Sequence, residues 1–441
     1  MAEPASAAPR VSLTLMDVAI MVVGIVLGIG IFKTPSLVAN FSSGETMFLG
    51  LWALGGLITL VGAICYAELG SARPNAGGEY SFLHEAYGPK VALLFAWARC
   101  SVIQPGAIAA VAFVMGDYAQ VVLPLGPYGP GIWAIVSIVA FTAINYMGTT
   151  PGTWAQKIFE TITVVSLVAI IVSAFVVMVP APPPGTPRDI SWGGAGLAMV
   201  FILLTYGGWN EAAYLSGELQ NAKRNMARAL VVGVLIVIGL YLSINFAYLH
   251  VLGLDGIRKS EAVAADMMRI VAGDPGAMIV SIVVVLSALT TLNGTIITGS
   301  RSYYALGRDL SAFRHIGTWE ERGSTPANAL VLQGALSVML VIFGTLTRGG
   351  FEQMVAYTAP VFWFFMLLVA ISIYIFRSRE TGGETHYRVP LYPATPAILA
   401  LTCLWMLYSS LVYAGWGSIV GVVILLVGTP LLLLKRNPAQ G

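Results

Sequence analysis

Charge is scarce in this chain. Asp, Glu, Lys and Arg make up 10% of its 441 residues, against 57% apolar residues and a mean hydropathy of +0.82. A soluble domain carries about 25% charged residues, so a water-surrounded globule is excluded. The net charge of +2 comes with no basic cluster, which argues against a nucleic-acid partner. Cysteine is equally sparse. Cys65, Cys100 and Cys403 all fall in apolar runs, and they form neither a disulfide framework nor a metal set. The four histidines, His84, His250, His315 and His386, lack ligand spacing. No nucleophile–base pair or metal cluster falls within an apolar run, so no enzyme is expected. The segment before Ser12, rich in Ala and Pro with Arg10 as its one basic residue, has no short apolar core followed by a cleavage site. It is not read as a signal peptide.

What is present is a series of apolar runs, each about 20 residues and so long enough to cross a bilayer as a helix. Twelve spans are expected, at 15–40, 46–70, 91–120, 131–148, 156–180, 194–217, 227–252, 276–300, 327–346, 352–376, 396–413 and 417–434. An even number places both ends of the chain on one side. With that side cytoplasmic, 16 Lys and Arg fall in inner segments and 5 in outer ones, which is the asymmetry expected of an inside terminus. A cell (plasma or inner) membrane location follows.

Glycine clusters interrupt two of the spans. GIGIFKTP, Gly28 to Pro35, lies in the first, and TYGGWNE, Thr205 to Glu211, in the sixth. Backbone freed from helical pairing is tolerated in hydrocarbon only where it faces protein, a cavity or a ligand. Two interruptions five spans apart imply repeats of opposite topology and a binding site near the midplane. The organisation is then an inner tail (1–14), a first repeat (15–180), a Pro-rich outer linker (181–193), a second repeat (194–376), two further spans (377–434) and an inner tail (435–441). In the first break the amides opening the half-helix near Ile31 suit a carboxylate. The carbonyls ending the preceding half near Val26 suit an ammonium group. In the second break, carbonyls around Leu204 can accept from the same ammonium. The alternative is that these glycines serve close helix packing. Gly207, Gly208, Trp209 and Asn210 are candidate substrate contacts as well; alternatively Asn210, with donor and acceptor capacity, ties the loosened backbone and Trp209 packs.

These motifs carry a resemblance. The segment CYAELGSARPNAGGEYSFLHEAYGP, Cys65 to Pro89, is similar to the second-span signature of permeases of the amino acid–polyamine–organocation superfamily. GIGIFKTP resembles that family's first-span break. LTYGGWNEAAYLSGELQNAKRNMARAL, Leu204 to Leu230, resembles its L-type amino acid transporter branch. SALTTLNGTIITGSRSYYALGRD, Ser287 to Asp309, resembles the eighth span and following loop. The resemblance implies an all-α membrane fold of the bacterial leucine transporter type: twelve helices in a 5+5 inverted repeat plus two, with helices 1 and 6 broken. It implies transport of small, neutral L-amino acids by alternating access, spans 1, 2, 6 and 7 rocking against spans 3, 4, 8 and 9. It puts the substrate carboxylate on the amides of Gly28, Ile29 and Gly30, and the ammonium on the carbonyls of Val26, Leu204 and Gly207. The chain departs from the family at Ile29, often small or polar, and at Leu204, often an aromatic gate; a larger pocket or a looser outer gate is expected. The loop Val121 to Pro130 lacks the cysteine that links L-type members to a heavy chain, so no disulfide-linked partner is expected.

Coupling is the open question. Many relatives in the superfamily carry a span-5 lysine where this chain has Thr163. Ser287, Thr290 and Thr291 share one helical face at i, i+3, i+4. With the carbonyls of Gly24 and Leu27 they could supply the hard oxygens of a sodium site. Alternatively the hydroxyls only bond their own helix. The remaining readings are sodium-independent exchange, a cationic amino acid or polyamine permease using Glu211, and a non-transporting membrane sensor of amino acids. Lys33 is expected to extend its stem toward water. Glu68, Arg99 and Glu160 are expected to form ion pairs at the inner face.

Overall fold

The computed structural model describes residues 14–73, 78–148, 153–178, 182–183, 185–189, 192–210, 219–310, 313–320, 325–347, 349–379, 386–413 and 415–433. Within them the chain is helical, with one isolated β-bridge between Glu320 and Thr325. In order the helices are α1 (Leu15–Val26), α2 (Thr34–Asn40), α3 (Glu45–Ala72), α4 (Gly78–Tyr87), α5 (Pro89–Ala98), α6 (Gln104–Val122), α7 (Gly129–Tyr146) and α8 (Thr153–Val176). There follow α9 (Trp192–Thr205), α10 (Ala222–Lys259), α11 (Val263–Asp309), α12 (Ala327–Leu346), α13 (Gly350–Arg379), α14 (Ala394–Tyr413) and α15 (Trp416–Val427). Eight described helical segments are long and apolar enough to cross a membrane. The pair Val18–Phe32 and Thr34–Asn40, bent by 57°, counts as a ninth. Three shorter apolar helices are Thr161–Val176, Gly193–Thr205 and Gly417–Leu432.

Apolar runs of this length become helices in hydrocarbon because only a helix satisfies every backbone N–H and C=O within its own segment. The exceptions matter more for the site. A 3-10 turn, Ile29–Phe32, stands between α1 and α2. A π-helical stretch, Arg99–Ile103, joins α5 to α6. The π stretch has a local cause. Pro105 has no N–H, so the carbonyl four residues back, that of Ser101, loses its donor. Tyr357 of α13 supplies one from its hydroxyl at 2.6 Å, and Tyr303 of α11 donates to Cys100 O beside it.

Two groups of helices meet around the site. α1, α3, α9 and α10 pack together, and α6, α7, α11 and α12 form a second cluster. α10 and α11 run on past kinks at Gly253 and Gly273, so helix continues where the sequence reading expected loops. α4 was likewise unexpected as a helix. It lies across the side of the molecule where α3 ends and α5 begins, called here the near side; α2 and the end of α6 mark the far side.

Candidate functional site

The helical ladder is interrupted at both glycine clusters. Leu27 N still bonds Val23 O at 2.8 Å, but Gly28 is extended (φ −74°, ψ 174°) and its N–H turns back to Val26 O at 2.6 Å. In α9, Tyr206 N reaches Ile202 O and Gly207 N reaches Leu204 O, after which Gly208 takes φ +104°. That conformation favours glycine, and an added Cβ would meet Ile25 of α1 at 3.0 Å. The breaks therefore touch. Gly30 faces Thr205 closely enough that a Cβ would lie 3.1 Å from its side chain, and Thr205 Oγ1 is 2.7 Å from Thr34 Oγ1.

A buried tyrosine stitches the two breaks together. Tyr241 of α10 places its hydroxyl 2.7 Å from Val26 O and 3.2 Å from Thr205 O. It packs against Tyr206 and Trp52, with ring centroids 4.9 and 6.0 Å away. Val26 O thus has two donors, Tyr241 and Gly28 N–H, and both its lone pairs are occupied. Leu204 O accepts from Gly207.

Between the helix groups lies a cavity of about 570 Å³. Gly24, Ile25, Leu27 and Gly28 line it from the first break, and Asn210 from the second. Of the nine residues expected to hold substrate, Gly28 and Asn210 face this cavity. Val26, Ile29, Gly30, Leu204, Gly207, Gly208 and Trp209 are not among its lining residues in this conformation. Trp209 packs edge-on against Tyr66, with ring centroids 5.0 Å apart. Asn210 ties the second break: its Oδ1 accepts from Gly208 N at 3.3 Å, and its Nδ2 donates to Glu79 at 2.7 Å. Glu211 lies outside the described residues.

The six residues expected to hold a cation, Gly24, Leu27, Thr163, Ser287, Thr290 and Thr291, all line the same cavity. The Thr290 and Thr291 hydroxyls donate to Leu286 O and Ser287 O, one turn back in their own helix, at 3.0 and 3.1 Å. Their oxygens keep lone pairs, but the Ser287 carbonyl is engaged and no acid belongs to the set.

The near side of the cavity is ionic. Glu79, from α4, is buried and receives Asn210 and, at 3.1 Å, the Tyr66 hydroxyl; Arg99 stands 3.7 Å away. Tyr87 at the other end of α4 donates to Leu368 O at 2.7 Å, and burial pushes its phenol up to about 12, so it stays a donor. Glu68 pairs with Arg377 through two contacts of 2.7 Å and accepts Val389 N. The ion pairs expected of Glu68 and Arg99 are therefore present; the Glu160 side chain lies outside the described set.

Lys33 requires a correction. Its ammonium does not reach for water but pairs with Asp117 of α6 at 2.7 Å, with side chains 14% and 13% exposed. An acid on the facing helix outcompetes solvent there. Beside it Tyr118 donates to Phe32 O at 2.9 Å and accepts from Ala264 N at 3.2 Å. These contacts join the helix groups on the far side, whereas the cavity separates them toward the near side.

The profile of the amino acid permease family matches residues 13–432. The chain belongs to that family. Among curated proteins, the human b(0,+)-type amino acid transporter 1 is 28% identical over 423 residues, covering 93% of this chain and 84% of that protein. The serine/threonine exchanger SteT of Bacillus subtilis is 27% identical over 430 residues, covering 95% and 96%. The human cystine/glutamate transporter is 25% identical over 430 residues, covering 95% and 83%. The permease is thus a transporter rather than an enzyme, of the L-type branch expected from its motifs.

Sequence reasoning missed four residues of this permease's site. Asp117 was legible as an acid inside an apolar run. Gln104 was legible through Pro105, which disrupts a helix at mid-span. Glu79 sits within the quoted second-span signature. Tyr241 had no signal, since a tyrosine in an apolar run reads as packing.

Proposed function

We propose that this permease moves small, neutral L-amino acids across the cell membrane by alternating access, exchanging one for another. The observation that carries the reading is the helix break at Leu27–Gly28, which opens directly into a cavity bounded by both helix groups. Peptide groups at such a break can pair with a zwitterion without a charged side chain; here Gly28 N–H and Val26 O pair with each other, and a guest carboxylate would take the amide from that bond. In this reading the bent pair, the eight long helices and the three shorter apolar ones are each one span, twelve in all, with the ends of the chain cytoplasmic by their Lys and Arg bias. Spans 1, 2, 6 and 7, seen here as α1–α2, α3, α9 and α10, rock against α6, α7, α11 and α12. A disulfide-linked partner is not part of the proposal, because all three cysteines are buried.

Exchange is our first reading for two reasons. SteT is by name an exchanger. A sodium ion would find hard oxygens on the α11 wall but an occupied Ser287 carbonyl and no balancing acid among the six residues. Sodium coupling stays the second reading, favoured by the gathering of all six residues on one cavity. A cationic substrate is disfavoured: Glu79, the acid lining the cavity, already has three partners. The test is uptake of a labelled amino acid panel into proteoliposomes, with and without internal amino acid, a sodium gradient and a pH gradient. Uptake that requires internal amino acid and ignores sodium supports exchange. Sodium-driven uptake that Thr290→Ala and Thr291→Ala abolish replaces exchange with the second reading. A protein that binds amino acids yet moves none is a sensor.

A further inference from the structure

We infer that Gln104 is the residue by which this cavity reads the substrate's side chain, and that it selects a hydroxyl. The inference rests on the proposed amino acid transport. Gln104 opens α6 at the middle of the long Pro89–Val122 span and lines the cavity with 7% of its surface exposed. Its orientation is determined. Nε2 lies 2.8 Å from the carbonyl oxygen of Thr295 on α11, an atom that can only accept, so the amide nitrogen must point there. Oε1 is then the remaining polar atom of the amide. No described residue donates to it, and it is not among the fully enclosed side-chain atoms. A carbonyl oxygen left bare in a membrane-embedded cavity is costly unless something donates to it.

The neighbouring wall offers no donor for that oxygen from its threonines. Thr290, Thr291, Thr295 and Thr298 each donate to a backbone carbonyl of their own helix, at 2.8 to 3.1 Å. They present lone pairs, so this part of the cavity is a field of acceptors. A guest side chain that donates is therefore favoured. An ammonium is disfavoured, since no carboxylate stands with Gln104 and Glu79 is already engaged. The 3-10 turn beyond Gly28 packs against α6, α11 and α9, so the cavity wall that Gln104 and the threonines line adjoins the first break. A short side chain with a hydroxyl matches a lone amide oxygen there.

Near-isosteric pairs read this directly in proteoliposomes of the full chain. Inhibition of labelled alanine uptake is compared for threonine against valine, serine against alanine, and asparagine against leucine. Thermal stabilisation of the purified protein by each ligand gives a binding readout that needs no transport. We expect threonine to outcompete valine by about tenfold or more, because a site built around a buried acceptor rejects the analogue lacking the donor. Gln104→Leu and, separately, the unbranched Gln104→Met should bring that ratio close to one. Equal potency of threonine and valine in the unmodified protein overturns the inference while leaving the transport proposal intact. So does a preference that survives both substitutions, or a preference for asparagine alone. A protein that neither binds nor moves any of these amino acids removes the transport reading, and the inference with it.

Discussion

The two helix breaks are built from similar glycine clusters, yet the structure uses them differently. At the first, Gly28 has an ordinary extended conformation, and an added Cβ would meet nothing nearer than Val26 O at 3.8 Å. Its glycine leaves room on the cavity side rather than permitting a turn. At the second, Gly208 has φ +104°, presses on Ile25, and donates its N–H to Asn210 Oδ1. One break lines the cavity, the other is a joint held by protein contacts. A glycine pair in a membrane span therefore marks freed backbone without saying whether a ligand or a side chain will satisfy it.

The largest effect is expected beyond the first break, where Lys33 anchors the half-helix to Asp117. Asp117→Asn leaves a nearly buried ammonium without its counter-charge. It should disfavour the far-side-closed form by about 3 kcal/mol. Labelling of Ser36→Cys by a thiol reagent applied from the far side reads this, with little background because the native cysteines are buried. Exchange of the two charges between positions 33 and 117 should restore protection; an unchanged labelling rate would show that the pair closes nothing.

The next effect separates the breaks themselves. Gly208→Ala should lower stability by about 2 kcal/mol through the strained positive φ. Gly28→Ala should leave the thermal midpoint almost unmoved but weaken amino acid binding about tenfold by placing a methyl where the guest's carboxylate approaches. Equal losses of stability for the two would erase the distinction. The smallest effect tests what joins them. Tyr241→Phe removes a hydroxyl shared by Val26 O and Thr205 O and should cost about 1 kcal/mol. Faster amide exchange is expected at both breaks; loosening of one alone would mean that Tyr241 serves only that one.

Much of the fold was legible because hydrocarbon imposes one rule on every backbone group, and long apolar runs obey it as helices. The interruptions were legible for the complementary reason, as Gly28, Gly30, Gly207 and Gly208 stand where a helix has no use for them. The π stretch at Arg99–Ile103 could have been inferred from Pro105, but not the tyrosines that cap its carbonyls, which come from α11 and α13, more than 200 residues along the chain. The water-seeking reading of Lys33 failed for the same kind of reason, because Asp117 lies 84 residues away and no local pattern pairs them.

By itself, then, the sequence determined a membrane-embedded helical transporter and the two points at which its helices let go of their own hydrogen bonds. Those are consequences of composition and nearest-neighbour backbone chemistry. Only the tertiary structure decided which freed groups remain available. Donors such as Tyr241 and Asn210, and the counter-charge on Asp117, reach the breaks through contacts between distant helices. A carbonyl or an ammonium binds whatever partner packing brings within 3 Å, wherever that partner lies in the chain.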